Sequence, residues 1–99
     1  MPTHEEDGAF LRDFRGLTDA QRERFRQARA KMIEDLKEME AGDGLWFRTG
    51  LVRKLSGRGD LYELRWAPDG RAIFSIGPPQ QPGLLHIQWH RCGTHEILP

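Results

Sequence analysis

The chain has 99 residues, is 37% hydrophobic and carries 15 basic against 15 acidic side chains. This length predicts one domain over residues 1–99, marginally stable by about 5–10 kcal/mol. No run of about 18 apolar residues is present, which excludes a membrane-spanning helix, and the acidic N-terminus is unlike a secretory signal. The single cysteine cannot form an internal disulfide, which favours a reducing, cytoplasmic location.

The neutral total hides an uneven distribution of charge. Residues 1–47 carry eight Lys and Arg against eleven Asp and Glu, whereas residues 48–99 carry seven against four, together with three of the four histidines. A surface that binds nucleic acid is usually basic. Any such surface therefore has to lie in the second half, although charge alone favours an ordinary mixed surface.

The first segment of the chain predicts a tail and a short helix. Residues 1–8 are polar and are expected to form a flexible N-terminal tail. Phe10, Leu11 and Phe14 then share one helical face, so a short helix is expected to end near Gly16.

A longer helix follows from about Asp19 to Ala41. Thr18 and Gln21 have the spacing of a capping box, in which two side chains bind the unpaired amides at a helix start. The apolar residues then recur at steps of three and four, which is typical of an amphipathic helix: Phe25, Ala28, Met32, Leu36 and Met39.

The second half has the pattern of strands. Residues 45–48 and 51–55 are short apolar and basic runs, and residues 61–66 alternate between apolar and charged. The tripeptide Pro68-Asp69-Gly70 predicts a tight turn that leads to a return strand over residues 71–76. A loop rich in proline and glycine follows at residues 77–83, and a last strand is expected at 84–90.

Helices followed by an antiparallel meander predict an α+β fold. The helical pair, one short and one long, is expected to cover one face of a small antiparallel sheet of three to four strands. Sequential pairing would leave the other face polar, with Glu63, Arg65, Arg71, His86, Gln88 and His90 on it. Arginine binds phosphate oxygens and histidine exchanges protons near neutral pH, so this face suits a phosphodiester.

Side chains that can transfer protons or bind anions are concentrated near the C-terminus, where the last strand is expected to end in a turn at Gly93. His95, between Arg91 and Glu96, is better placed for proton transfer than for the core. Cys92 is interpreted as an inert buried thiol. The spacing of His90, Cys92 and His95 fits no common zinc pattern, and no metal is expected.

Several motifs in this order resemble the RelE/ParE superfamily of bacterial toxins. They are residues 53–57 (Arg-Lys-Leu-Ser-Gly), 61–65 (Leu-Tyr-Glu-Leu-Arg), 70–74 (Gly-Arg-Ala-Ile-Phe) and the Gly93-Thr94-His95 ending. The last is similar to the same tripeptide in YafQ-type members, and Arg-x-Gly-Thr-His resembles the ending of actinobacterial stand-alone relatives. The resemblance covers residues 10–98.

The resemblance implies a RelE-like fold and a metal-independent, ribosome-dependent endoribonuclease that cleaves mRNA, within a type II toxin–antitoxin system. It implies no cofactor, and its partners would be a small antitoxin of helix-turn-helix type, the ribosome and mRNA, with no membrane. Carried over by position, His95 would be the acid or base, and Arg65, Arg71 and Arg91 would hold phosphate. Lys54, Arg53, His90 and His86 are expected to bind substrate.

Two alternatives stay open. Leu98 stands where the active members have Tyr or Phe, and the chain is neutral in a family that is commonly basic; both favour a RelE-like binding module that has lost cleavage. Glu63 also occupies a position that is Lys in the RelE proteins themselves, although Glu is usual in neighbouring branches. A ParE-like inhibitor of gyrase is the other alternative; His95 argues against it, because poisoning gyrase needs no proton-transfer group. The strand that precedes the helices in many members is not expected here.

Overall fold

Two helices cover one face of a five-stranded sheet in the computed structural model, which describes residues 1–42 and 44–99. The strands are β1 (Thr3–Glu6), β2 (Val52–Lys54), β3 (Leu61–Arg65), β4 (Gly70–Gly77) and β5 (His86–Thr94); the helices are α1 (Gly8–Arg15) and α2 (Asp19–Ala41). The strand order is β1-β5-β4-β3-β2, and only β1 runs parallel to its neighbour. The predicted α+β fold is confirmed, with five strands in place of three to four.

The N-terminal segment differs from the flexible tail that its polar sequence predicts. Residues Thr3–Glu6 pair with β5, and the N–H groups of Thr3 and Asp7 donate to the carbonyls of Leu85 and Trp89, each at 2.9 Å. The segment is polar because an edge strand leaves much of its surface in solvent. It also forms the strand before the helices that the sequence does not predict.

The long helix begins and ends where the sequence predicts. The Thr18 side chain accepts a hydrogen bond from the Gln21 N–H, and the Gln21 side chain accepts one from the Thr18 N–H, which completes the capping box. The predicted apolar stripe is buried: Phe25, Ala28, Met32, Leu36 and Met39. Its Phe25 ring contacts Trp89 of β5 with centroids 5.3 Å apart, so α2 and the sheet share one core.

The last strand extends further than predicted. It continues through Gly93 to Thr94, and the turn comes only at a short 3₁₀ helix, His95–Ile97. A Cβ on Gly93 would approach Ile97 to 3.0 Å, because this 3₁₀ helix folds back over the end of the strand. Of the short runs at 45–48 and 51–55, only Val52–Lys54 forms a strand.

A β-bulge interrupts the pairing of β4 with β5. Ile73 faces Arg91 and Phe74 faces Trp89, so His90 is the extra residue on β5. Bulges redirect the side chain at which they occur. Among the described residues, no helix is both long and apolar enough to cross a membrane.

Candidate active site

The turn between β3 and β4 and the end of β5 form one candidate site, here called the turn site, which consists of Arg65, Asp69 and His95. Gly70 pairs with Thr94 across the sheet, so the turn lies beside the residue that follows β5. The Nδ1 atom of His95 is hydrogen bonded to the carboxylate of Asp69. An ionised carboxylate only accepts hydrogen bonds, so in the neutral ring the proton lies on Nδ1 and Nε2 is left to exchange protons.

The electrostatics of the turn site agree with this arrangement. The hydrogen bond from His95 holds the pKa of Asp69 below its ordinary value, so the carboxylate stays charged opposite the ring. Both side chains are exposed, by 63% for His95 and 61% for Asp69, so solvent or a ligand can reach them. A carboxylate that fixes one nitrogen of a histidine is the arrangement used to orient acid–base histidines.

Two depressions flank the turn and share Trp66, Ala67 and Pro68. One, of about 460 Å³, is lined by Ala20, Gln21, Arg24, Trp66, Ala67, Pro68, Asp69, Gly70 and Thr94. The other, of about 360 Å³, includes the exposed side chain of Arg65. Arg65 makes no ion pair with any residue that the structure describes, so its charge is available to a ligand.

The turn is held by two features of its own sequence. The N–H of Gly70 donates to the Ala67 carbonyl at 3.0 Å, and a Cβ on Gly70 would lie 2.5 Å from the ring of Trp66. Only glycine therefore fits beneath that ring. The Nη1 group of Arg71 donates three hydrogen bonds of 2.9–3.3 Å to the carbonyls of Ala67, Pro68 and Gly70.

Arg71 consequently lies inside the protein instead of on the substrate face where the sequence predicts it. It is 8% exposed, and its Nε atom lies 3.7 Å from a carboxylate oxygen of Glu63, which is 1% exposed. The other oxygen of Glu63 pairs with the Nε of Arg53 at 3.0 Å. The guanidinium of Arg71 is occupied by the turn carbonyls and by Glu63. This geometry fits a role in holding the turn better than direct contact with phosphate.

Arg91 is also paired within the protein. Its Nε donates to the Asp13 carboxylate of α1 at 2.6 Å, and the same oxygen accepts the N–H of Cys92 at 3.0 Å. Partial burial acts to raise the pKa of Asp13, but the bonds from Arg91 and Cys92 bring it below the ordinary value. Arg91 therefore anchors α1 to β5 at some distance from the turn site.

Cys92 is buried, in agreement with its interpretation as an inert thiol. Burial, with the nearby charge of Asp13, raises the pKa of the Cys92 thiol to about 12. Thiolate is therefore scarce at neutral pH. Among residues 1–42 and 44–99, no three His, Cys, Asp or Glu side chains lie close enough to share a metal ion.

His90 lies in a second polar cluster, on the sheet face away from the helices. Its Nδ1 is 2.7 Å from the carboxylate of Asp7, and its Nε2 is 2.8 Å from the hydroxyl of Ser75 on β4. Gln88 donates to the other oxygen of Asp7 at 2.9 Å. These bonds hold the pKa of Asp7 below its ordinary value, first through Gln88 and then through His90.

The remaining predicted substrate ligands lie apart from the turn site. His86 is 6% exposed and contacts the hydroxyl of Thr3 at 2.8 Å, so it belongs to the pairing of β1 with β5. Lys54 and Arg53 are exposed on the edge strand β2. The structure therefore groups the predicted residues by strand and does not gather them around one point.

The two histidines of β5 and the adjoining turn are well separated. His90 is bonded to Ser75 and His95 to Asp69, at opposite ends of β4. The five steps along the strand from Gly70 to Ser75 span roughly 17 Å at about 3.3 Å each. The two rings cannot act as base and acid on one phosphate group, because those two proton transfers occur within a few Å of each other.

Sequence reasoning missed three residues of these sites. The sequence patterns assign Asp69 only to a turn, Asp7 to the flexible tail and Ser75 only to a strand. His90 and Asp7, which are hydrogen bonded, lie 83 positions apart in the sequence. Local sequence patterns cannot predict a contact between residues so far apart. The register of β4 against β5, with Ser75 facing Gln88, was the one signal that could have placed Ser75 beside His90.

No protein-family model matches the chain, and no curated protein matches it either. Solved structures do match its fold. The YoeB/ParE toxin from Agrobacterium tumefaciens gives a TM-score of 0.63 at 15% identity, over 94% of this chain and 98% of that one. A chain of the intact Escherichia coli RelBE toxin–antitoxin complex gives a TM-score of 0.59 at 21% identity, over 95% of this chain and 96% of that one. YafQ from Escherichia coli BL21(DE3) gives 0.53 at 18%, over 99% and 98%.

The fold and the turn site define a class of small α+β protein in which a histidine bonded to a carboxylate follows the last strand of the sheet. Within that class, the likeness to these toxin structures shows that the chain has the RelE/ParE-like fold, as its sequence motifs predicted.

Proposed function

We propose that this protein is the toxin of a toxin–antitoxin pair and that it cleaves mRNA on the ribosome through proton transfer at His95. The observation that carries the proposal is the exposed His95, fixed by Asp69 beside a turn flanked by Arg65. The RelE/ParE-like fold supports it, because the similar structures are those of toxins, and one of them is a complex with an antitoxin.

The chemistry follows from the Nε2 atom of His95, which bonds to none of the residues that the structure describes. In metal-independent cleavage the 2′-oxygen of the RNA attacks phosphorus, the bond to the 5′-oxygen breaks, and a 2′,3′-cyclic phosphate forms. His95 either takes the proton of the 2′-hydroxyl or gives one to the departing 5′-oxygen, and Asp69 stabilises the ring when it is charged. Proton transfer by a positioned side chain contributes about 10²–10⁴-fold to a rate.

The predicted arginines divide their roles in this proposal. Arg65 binds and neutralises the phosphate, because it is exposed and has no internal ion pair among the described residues. Arg71 holds the turn that carries Asp69, and Arg91 holds α1 against β5. Lys54 and Arg53, exposed on β2, would contact the RNA backbone further from the cleaved bond.

The test is expression in bacteria, with growth and mRNA integrity as readouts. We expect wild-type protein to arrest growth and to cut ribosome-bound mRNA, as mapped by primer extension. His95→Ala should reduce cleavage by about 100-fold or more, Asp69→Asn by less, since the ring then keeps its chemistry but loses its orientation. Co-expression of the neighbouring gene, if it encodes the antitoxin, should restore growth.

His4→Ala is the matched control, because His4 is an exposed histidine that also contacts a carboxylate, that of Glu6 at 2.9 Å, far from the turn site. It should arrest growth as the wild type does. Harmless expression of the wild-type protein together with intact ribosome-bound mRNA would contradict the proposal. Equal activity of wild type and His95→Ala would contradict the role of His95.

A second candidate function is a binding module without cleavage, favoured by Leu98 at the position where active RelE-type members carry an aromatic residue. The substitution Leu98→Tyr distinguishes the two. A binding module should stay inactive as Leu98→Tyr, whereas a weakened enzyme should gain ribonuclease activity.

A further inference from the structure

The cluster around His90 has the connectivity of a nucleophile, a base and an orienting acid. The hydroxyl of Ser75 is 2.8 Å from Nε2 of His90, and the Asp7 carboxylate is 2.7 Å from Nδ1 of the same ring. These are hydrogen-bonding distances, and each atom is the one that the roles require. From this geometry we infer that Ser75 is a nucleophilic serine, activated by His90 and Asp7, which accepts acyl or phosphoryl groups from activated donors.

The tautomer of His90 follows from its partners. Asp7 can only accept a hydrogen bond, so the ring proton lies on Nδ1, and Nε2 of the neutral ring accepts the proton of the Ser75 hydroxyl. Gln88 holds the second carboxylate oxygen of Asp7 at 2.9 Å, and the main-chain N–H of Asp7 is fixed to the Trp89 carbonyl. The acid is thus held at three points, so the ring cannot turn away from Ser75 without breaking a bond to a charged group.

Asp7 bonds through its side chain to β5 and does not make the helix-capping bond that its place in the chain favours. It is the N-cap residue of α1, where an aspartate normally accepts a hydrogen bond from the first turn of the helix, yet its side chain makes no capping bond. Both oxygens instead face β5, which is the arrangement expected if the carboxylate serves His90.

The bulge on β5 places the ring over its neighbour. His90 is the extra residue between the paired positions Ile73–Arg91 and Phe74–Trp89, and this lets it reach Ser75, whose partner in register is Gln88. Ser75 is partly buried and the side chain of His90 is 27% exposed, so a small electrophile can approach from solvent. The cluster is roughly 17 Å along β4 from the turn site and is independent of it.

The covalent step balances without a cofactor. The oxygen of Ser75 attacks the carbonyl carbon or phosphorus of the donor, and its proton moves to Nε2 of His90. The bond to the leaving group breaks, and His90 returns the proton to a leaving alkoxide or phenolate, or to solvent when fluoride leaves. The donors that fit are unhindered activated esters and organophosphorus fluorides, since these need no more than an activated hydroxyl.

The test uses the purified full chain and a fluorophosphonate probe, with the adduct measured by intact mass and mapped by peptide sequencing. The chain has only two serines, Ser56 and Ser75, so Ser56 on an exposed loop is an internal control. We expect a single adduct on Ser75, loss of that adduct in Ser75→Ala, and about 100-fold slower labelling in His90→Gln. Labelling of Asp7→Asn should also be slower, by at least tenfold.

Folding of each variant is checked by circular dichroism, and urea-unfolded wild type gives the labelling rate of a serine outside the cluster. Asp7→Asn keeps an oxygen for the bond from Gln88, so it serves if His90→Gln does not fold. No adduct on folded wild type would overturn the inference. So would an adduct on Ser56 alone, or Ser75 labelling that is no faster than in the unfolded chain or in Asp7→Asn.

Discussion

At the scale of single residues, every histidine of this chain lies against a carboxylate: His4 on Glu6, His86 on Glu5, His90 on Asp7 and His95 on Asp69. The consequences differ because the second ring nitrogen meets different surroundings. In His95 it is left for a ligand, and in His90 it meets a serine hydroxyl. The same pairing would therefore serve the proposed RNA cleavage at one site and the proposed serine activation at the other.

The turn site depends on a residue that has no side chain. We expect Gly70→Ala to lower the free energy of unfolding by about 1–3 kcal/mol, because the added methyl group would overlap the ring of Trp66, which is itself buried. Urea unfolding measures the change. Gly8→Ala is the control, since a Cβ at Gly8 has nothing within 4 Å, and it should be neutral or slightly stabilising. Equal effects of the two substitutions would contradict this account.

The candidate site could be predicted only in part. The sequence predicts His95 and Arg65 because a terminal strand, a hairpin glycine and a polar alternation are local patterns. The pattern also assigns Arg71 to the polar face of its strand, but it cannot report that the turn carbonyls and Glu63 hold the guanidinium inside. Charged residues are usually exposed, and a buried pair is visible only once the strands are placed side by side.

At the scale of elements, β3 is tied to its two neighbours by a buried charge. Glu63 faces Arg53 of β2 in register, and its second oxygen lies 3.7 Å from Arg71 of β4. We expect Glu63→Ala to destabilise the protein by about 3 kcal/mol, because Arg71 would remain buried without its anion. Chemical denaturation measures this. Glu38→Ala, an exposed substitution on α2, should change stability by less than about 0.5 kcal/mol.

The pairing of β1 with β5 predicts which amides of β1 exchange slowly with solvent. As an edge strand paired in parallel, β1 should protect alternate amides: those of Thr3 and Asp7 donate to β5, whereas the amide of His4 should point to the free edge. Hydrogen exchange followed by NMR should show slow exchange at Thr3 and Asp7 and fast exchange at His4. Uniformly fast exchange over residues 3–7 would instead show that the segment is the flexible tail that its polar sequence predicts.

The elements that sequence predicted well are those whose signals are local. The capping box at Thr18 and the stripe from Phe25 to Met39 define α2 to the residue. By contrast, β1 has no apolar alternation, and its hydrogen bonds come from residues more than 80 positions away. Its existence depends on β5 having a free edge, which is a property of the assembled sheet.

At the scale of the whole molecule, carboxylates join the helical layer to the rest of the protein. Asp7 and Asp13 connect the N-cap and body of α1 to β5, and Asp35 of α2 accepts bonds of 2.9–3.2 Å from the N–H and guanidinium of Arg48, ahead of β2. Burial acts to raise the pKa of Asp35, but the bonds from Arg48 bring it below its ordinary value. The layers are thus held together by groups that titrate in acid.

This arrangement predicts how stability depends on pH. A carboxyl whose pKa is lower in the folded than in the unfolded protein stabilises the fold above its unfolded value, and that stability is lost as the pH falls through the folded value. Unfolding free energy should therefore begin to fall as the pH approaches 3.8, the ordinary value for aspartate, and should continue to fall below it.

Asp35→Asn should be less stable than wild type at pH 7 by about 2 kcal/mol, since its amide cannot accept all the bonds of the carboxylate. The difference should shrink as the pH falls from about 3.8 through the lowered pKa of Asp35, because the wild-type carboxyl then loses its charge too. Glu34→Gln is the control, because Glu34 meets the same arginine at 3.0 Å from an exposed position, and it should leave the curve almost unchanged. The difference in unfolding free energy between Asp35→Asn and wild type could instead stay constant down to about pH 2. The contact would then stabilise the fold through packing alone, and the charge of Asp35 would not hold α2 to the segment before β2.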